Sequence, residues 1–138
     1  MGHVSPRPVP EVRARDDVPG REHRGARAPR ARDARRLSVG AAGERVADVF
    51  LRRRGLSVRA RNVRLGRDEI DLVVVDGART VAVEVKARVG ADPVDSFTPE
   101  QRRRLHRAAR RLGPAVRCDL VTVAFGDDGA VVRWIRDV

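Results

Sequence analysis

Cysteine, lysine and aromatic residues are nearly missing from this chain. Cys118 is the one cysteine in 138 residues. No intramolecular disulfide can form, and no Cys/His metal cluster can be assembled with ligand spacing. Such a chain suits a reducing cytoplasm, its expected location. Aromatic residues make up 3% of the sequence, too few for a platform that reads single strands by stacking. No apolar run approaches the length of a membrane span. No basic stretch is followed by a bulky apolar helical face, so a membrane surface is a poor partner. The segment Arg35-Arg36-Leu37-Ser38-Val39 is faintly like a twin-arginine export signal, but Glu44, Arg45 and Asp48 break the apolar run that should follow. His3, His23 and His106 are far apart and read as solvated surface histidines.

What is abundant is arginine. The net charge is +11 and charged residues are 36% of the chain. That balance favours a polyanionic partner through electrostatic steering and counterion release, although an arginine-rich codon usage would raise it as well. Ten arginines and five acids lie within residues 1–36, together with Pro6, Pro8, Pro10, Pro19 and Pro29 and, after Met1, no bulky apolar residue except valines. This segment cannot bury enough surface to offset its ordering entropy. It reads as a disordered arginine-rich arm, or as the product of a start site placed too far upstream. One domain is expected over residues 37–138.

Within that domain the pattern predicts the order αβββαββ. A helix is expected over Gly43 to Arg54, with Ala47, Phe50 and Leu51 on one side and Gly55 stopping it. Strands are expected over Leu56 to Val63, Glu69 to Val75 and Thr80 to Ala87, with Asp76-Gly77 marking a turn. Gly90 to Phe97 reads as a loop. A second helix then opens with Thr98 as N-cap, Pro99 at the first helical position and Gln101 completing a capping box. Leu105, Ala108, Ala109 and Leu112 follow at helical spacing, and Gly113-Pro114 ends the run. Strands over Cys118 to Phe125 and Ala130 to Ile135 complete the order. The fold class is α/β, with a central mixed sheet flanked by helices.

Three acids and a lysine carry the candidate chemistry. In the second strand, strict alternation puts Glu69 and Asp71 on one face and Ile70, Leu72 and Val74 on the other. In the third, Glu84 and Lys86 share a face opposite Val81, Val83 and Val85. If residues 76–79 form the hairpin loop, Val75 opposes Thr80 and Asp71 lies across from Glu84, with Cβ atoms about 5 Å apart. A tighter turn makes the two acids diagonal neighbours, still close enough to share an ion. Two carboxylates so close repel unless something neutralises them. A hard divalent cation does so, Mg²⁺ or Mn²⁺. Such an ion can hold a phosphate oxygen and stabilise developing charge. Lys86 is the only lysine among thirty Lys and Arg residues. Arginine cannot copy a compact, titratable ammonium, which marks Lys86 as a group that could orient or deprotonate an attacking water.

Plainer readings exist for each residue. A bare Glu-x-Lys is a weak motif and is often a solvated sheet face. Like charges directly across a sheet destabilise it, which argues against that reading here. Asp71 could instead pair with Arg67 or Arg88. Glu44 shares a helical stripe with Ala47 and Leu51 and is a candidate third acid, or else a first-turn glutamate favoured by the helix dipole. The six arginines from Arg102 to Arg111 are either a phosphate-contacting stripe or the solvated face of an amphipathic helix.

Gly43-Glu44, Arg61-Asn62, Glu69-Ile70-Asp71-Leu72, Val83-Glu84-Val85-Lys86-x-Arg88, Thr98-Pro99, Arg104-Leu105, Asp119 and Ile135-Arg136-Asp137, taken in order, resemble the YraN family of bacterial proteins. The likeness covers about residues 40–137. It implies a restriction-endonuclease-like fold related to Holliday-junction resolvases. It also implies a site made of Glu44 from the first helix, Asp71 from the second strand, and Glu84 and Lys86 from the third. Asp71, Glu84 and Glu44 would hold the metal. Asp68 stands where the family usually has glycine, which would alter the bend into the strand or add charge near the site. Glu100 stands where lysine is common, and the arm is not part of the family pattern. The expected function is metal-dependent hydrolysis of phosphodiester bonds in DNA, with branched or damaged DNA as candidate substrates and a homodimer as a candidate assembly. The alternatives are a nucleic-acid-binding module of the same fold with little catalysis, and a basic interaction protein that acts through its arm.

Overall fold

The structure, a computed structural model, describes the backbone of residues 31–138 and side chains from Val39 onward. The first helix, α1, spans Ala31–Arg53 and is followed by β1 (Ser57–Leu65), β2 (Asp68–Asp76) and β3 (Arg79–Val89). A short 3-10 turn over Pro93–Ser96 leads to α2 (Pro99–Leu112), then β4 (Arg117–Gly126) and β5 (Gly129–Ile135). The order is αβββαββ, in the α/β class read from the sequence. The arm expected over residues 1–36 falls mostly outside the described residues.

One five-stranded sheet runs in the order β1-β2-β3-β4-β5. Only β3 and β4 are parallel. A parallel pair needs a long crossover, and α2 supplies it. α1 covers one face through Val46, Ala47, Phe50 and Leu51, which pack on Leu72, Val74, Val81, Val83, Val121 and Val123. α2 covers the other through Leu105, Ala108 and Ala109, which pack on Ile70, Val73, Ala82 and Cys118. Both helices thus bury the apolar stripe that the spacing predicts.

Local signals set several boundaries. Thr98 Oγ1 accepts from the Gln101 N–H at 3.2 Å, and Gln101 Oε1 accepts from the Thr98 N–H at 3.4 Å, so the capping box is formed. The β2–β3 hairpin has Val75 against Thr80 and Leu72 against Val83, the register expected, but Asp76 also pairs with Arg79, so the turn is Gly77-Ala78 rather than a loop over residues 76–79.

Three expectations are corrected. α1 begins at Ala31, twelve residues before the Gly43 start. Gly43 is not a boundary but a close contact: a Cβ there would stand 2.4 Å from the Ala87 Cβ. Strict alternation along β2 also fails. Ile70 and Val73 face α2, while Leu72 and Val74 face α1. The strand turns over at Asp71, which falls opposite Asn62 of β1, a residue with a positive φ of 50°. The β1–β2 register shift between Val58 and Ala60 lies farther along, opposite Val73 and Val74. Finally, His106 is not a free surface residue, since its Nε2 lies 2.6 Å from the Val138 main-chain oxygen.

Candidate active site

The candidate site grows from the place where β2 leaves β3. Their pairing stops at Leu72 and Val83, although β2 continues beside β1 to Leu65 and Asp68. One further step of the hairpin register would pair Asp71 with Glu84. The ladder has ended there, and the Val85 N–H donates instead to Asp71 Oδ2 at 2.8 Å. A main-chain donor freed by the fork thus fixes the carboxylate. Neither Arg67 nor Arg88 forms an ion pair with Asp71 among the described residues; Arg88 pairs with Asp95 at 3.1 Å.

Glu84 and Lys86 follow on β3. Lys86 Nζ lies 3.4 Å from Glu84 Oε1, and these side chains are only 20% and 19% exposed. That shielding does not fit a solvated sheet face. The Asp71 and Glu84 carboxyl groups come within hydrogen-bonding reach of each other. Burial and mutual repulsion raise Glu84 above the ordinary carboxylate range, against the pull of Lys86. Burial raises Asp71 too, partly opposed by the Val85 N–H and by Lys86.

Glu44 reaches the same cluster from α1. The tight approach of Gly43 to Ala87 brings this turn of the helix down onto β3. Burial, then the charge of Asp71, pushes the Glu44 carboxyl up to about 7. Asn62 lies between Glu44 and Glu69. With its NH₂ turned toward them, it donates to Glu44 Oε2 and Glu69 Oε1 at 3.3 Å each. The left-handed backbone at Asn62 suits asparagine better than most L-residues. Sequence spacing gave Asn62 no role; its only signal was its place in the Arg61-Asn62 motif.

The arrangement therefore brings Asp71 and Glu84 together, with Lys86 as the basic group beside them and Glu44 near enough to feel the charge of Asp71. Such an acid cluster can relieve its repulsion by taking up protons or a divalent cation. Its donors are hard carboxylate oxygens, which suit Mg²⁺ or Mn²⁺ rather than a thiolate-seeking metal. Among the described residues, no three Asp, Glu, His or Cys side chains stand ready-made as a metal cage. One or two carboxylates with waters in the remaining positions is the usual Mg²⁺ pattern, and the Asp71–Glu84 pair fits it.

Asp68, the departure from the family pattern, adds no loose charge. It is buried, and Arg107 of α2 grips it with Nε and Nη2, both at 2.7 Å. Asp119 is fully buried at the other end of the sheet core. It accepts from Arg117 at 2.9 and 2.8 Å, from Trp134 Nε1 at 2.9 Å and from the Asp137 N–H at 3.0 Å. This network ties β4, β5 and the C-terminal residues together and is structural. Asp48 of α1 is likewise buried and is bound by Arg52 and by Arg61 of β1.

Comparison with known proteins places the site in a family. The model of the uncharacterised protein family UPF0102 matches residues 43–123, a span that contains all four site residues. A UPF0102 protein of Symbiobacterium thermophilum is 45% identical over 101 residues, which cover 66% of this chain and 86% of the relative. One from Ralstonia pickettii is 40% identical over 114 residues, covering 72% and 88%. One from Mycolicibacterium vanbaalenii is 39% identical over 101 residues, covering 66% and 84%. No described helix is long and apolar enough to cross a membrane.

Proposed function

This chain belongs to the uncharacterised protein family UPF0102, which is the YraN family, and on that footing we propose that it is a Mg²⁺- or Mn²⁺-dependent endonuclease hydrolysing phosphodiester bonds in DNA. The observation that carries this reading is the fork at Asp71. It gathers Asp71, Glu84 and Glu44 into one partly shielded cluster with the chain's only lysine. Structural acids elsewhere in the domain are neutralised by arginine, as Asp68, Asp119 and Asp48 are. The site acids are left with net negative charge.

Asp71 and Glu84 would hold the cation, and Glu44 would face it from α1. When bound, the ion would neutralise the acids and withdraw electron density from a phosphate oxygen. The protein's own groups have separate tasks. The Val85 N–H fixes Asp71, and Asn62 restrains Glu44. Glu84 holds the Lys86 ammonium beside the cluster. From there the ammonium can hold a water for attack on phosphorus, a site carboxylate can take that water's proton, and Nζ can give a proton to the leaving oxygen as the P–O ester bond breaks.

A second reading, a DNA-binding module with little catalysis, rests on the absence of a ready-made three-ligand cage among the described residues. Cleavage assays on linear, nicked, flapped and four-way DNA, with and without Mg²⁺, separate the two. The Lys86→Arg variant sharpens them, because it keeps the charge and changes the head group. An enzyme using Lys86 loses about tenfold or more in cleavage with DNA affinity retained. Undiminished turnover in Lys86→Arg would remove the lysine from the mechanism. A wild type that binds DNA and cuts none of the four substrates would favour the binding module.

A further inference from the structure

One face of α2 carries positive charge with no local answer to it. Pro99, Arg102, Arg103, His106, Arg107 and Arg110 line an open concavity, and no acid is among them. Arg107 is locked by its two bonds to Asp68. The nearest helical acid, Glu100, is taken by Arg104 at 2.7 Å. Arg102, Arg103 and Arg110 are exposed. They make no ion pair among the described residues; Arg45, Arg53 and Arg59 make none either, but those are spread over α1 and β1, whereas Arg102, Arg103 and Arg110 line one concavity. Like charges at adjacent turns of a helix destabilise it by a few tenths of a kcal/mol per pair. Solvent ions screen such a concentration only in part, and an anionic partner would compensate it further.

We propose that this α2 face is a docking surface for the phosphate backbone of double-stranded DNA, with Arg102, Arg103 and Arg110 as the contacting groups. The inference rests on the nucleic-acid part of the proposed function and not on cleavage. Eight residues of helix separate Arg102 from Arg110, an axial distance of about 12 Å. Phosphates recur about every 3.4 Å along each strand of a duplex, so the stripe matches a run of several. No Phe, Tyr or Trp ring lines the concavity, and the His106 ring is held against the Val138 main-chain oxygen, so no platform for successive stacked bases is offered there. What remains is charge pairing with a regular backbone, which positions a duplex without reading its sequence. Arg107, immobilised by the buried Asp68, gives the stripe a rigid centre.

The test is salt-dependent binding of a short blunt DNA duplex to the full-length chain, read by fluorescence anisotropy without divalent metal. The stripe variant is Arg102→Gln/Arg103→Gln/Arg110→Gln. A control, Arg45→Gln/Arg53→Gln/Arg59→Gln, removes the same charge from exposed positions elsewhere. Each phosphate contact contributes about 0.9 to the slope of log K against log salt. The stripe variant should therefore lose about 2–3 from that slope, and the control less than about 1, with both melting as the wild type does. Equal losses in the two variants would overturn the proposal, as would a wild type that does not bind the duplex. Tighter binding of an RNA duplex or of polyglutamate at the same stripe would overturn it too. A wild type that binds through the stripe and cuts nothing leaves this inference standing and refutes the nuclease. A wild type that cuts DNA while the stripe variant binds unchanged refutes this inference alone.

Discussion

Asp71 of β2 takes the Val85 main-chain N–H at 2.8 Å, in the place where the hairpin ladder would have continued. This bond fixes a carboxylate beside Glu84 without an arginine to neutralise either. The local stability of the metal-free protein should therefore be limited by repulsion. Asp71→Asn keeps an acceptor for Val85 and removes a charge; Glu84→Gln removes the other. Each should raise metal-free stability by about 1 kcal/mol, or about 4–8 °C in Tm for a domain of this size. A scanning melt in a chelating buffer checks it, and lower Tm in both variants would count against the repulsive pair.

Glu44 gives the same repulsion a pH signature. Its carboxyl is raised from the ordinary 4.5 to about 7 by burial and by Asp71, with Glu69 adding to the rise and Asn62 opposing it. Lys86 and Glu84 face the same cluster. A raised acid pKa means that the folded state holds its proton more tightly than the unfolded state does. The associated stability is fully present below about pH 4.5 and is lost as pH rises to about 7. Melting followed across that window without metal should show the decline, and Glu44→Gln should reduce it, the remainder belonging to Glu84 and Asp71, which burial raises as well. A decline of equal size in Glu44→Gln would assign it to other groups.

Asn62 separates backbone from side chain. Its φ of 50° is one that glycine adopts freely, so Asn62→Gly preserves the turn of β1 while deleting the amide between Glu44 and Glu69. Stability should change by no more than about 1 kcal/mol. Cleavage should fall, because Glu44 loses its restraint. Asn62→Ala, which keeps neither the amide nor the easy φ, should lose stability as well. Full cleavage in Asn62→Gly would make the residue a turn former only.

Asp119 tests the framework apart from the site. Asp119→Asn leaves Arg117, 13% exposed at its side chain, without its main counterion. The cost should be about 3 kcal/mol or more. Denaturant unfolding reads it, and a loss under about 1 kcal/mol would mean that Asp76, 2.9 Å from Arg117, carries the charge alone.

The difference between what the sequence revealed and what it hid follows the range of the interactions. The Thr98–Gln101 capping box and the Val75–Thr80 register are set by neighbours within a few residues, and both were legible. So was the convergence of Asp71 with Glu84, because one turn length fixes it. The turnover of β2 at Asp71 was not legible, since it occurs opposite Asn62 of β1, whose left-handed backbone no local pattern announces. The start of α1 was hidden by Gly40 and Gly43, which weaken a helical pattern locally. Gly43 is there for a contact with Ala87, a residue 44 positions away. The Asp68–Arg107 grip joins residues from different elements, and no local spacing announces it. Asp68 looked like extra charge near the site for that reason.

The proposed chemistry stands or falls with a divalent cation held by Asp71 and Glu84. Isothermal titration of Mg²⁺, repeated with Mn²⁺, into wild type, Asp71→Asn and Glu84→Gln tests it without needing a substrate. The wild type should bind, and each variant should lose about tenfold or more in affinity, about 1.4 kcal/mol. Equal affinity in all three proteins, or no binding to the wild type, would contradict the metal site.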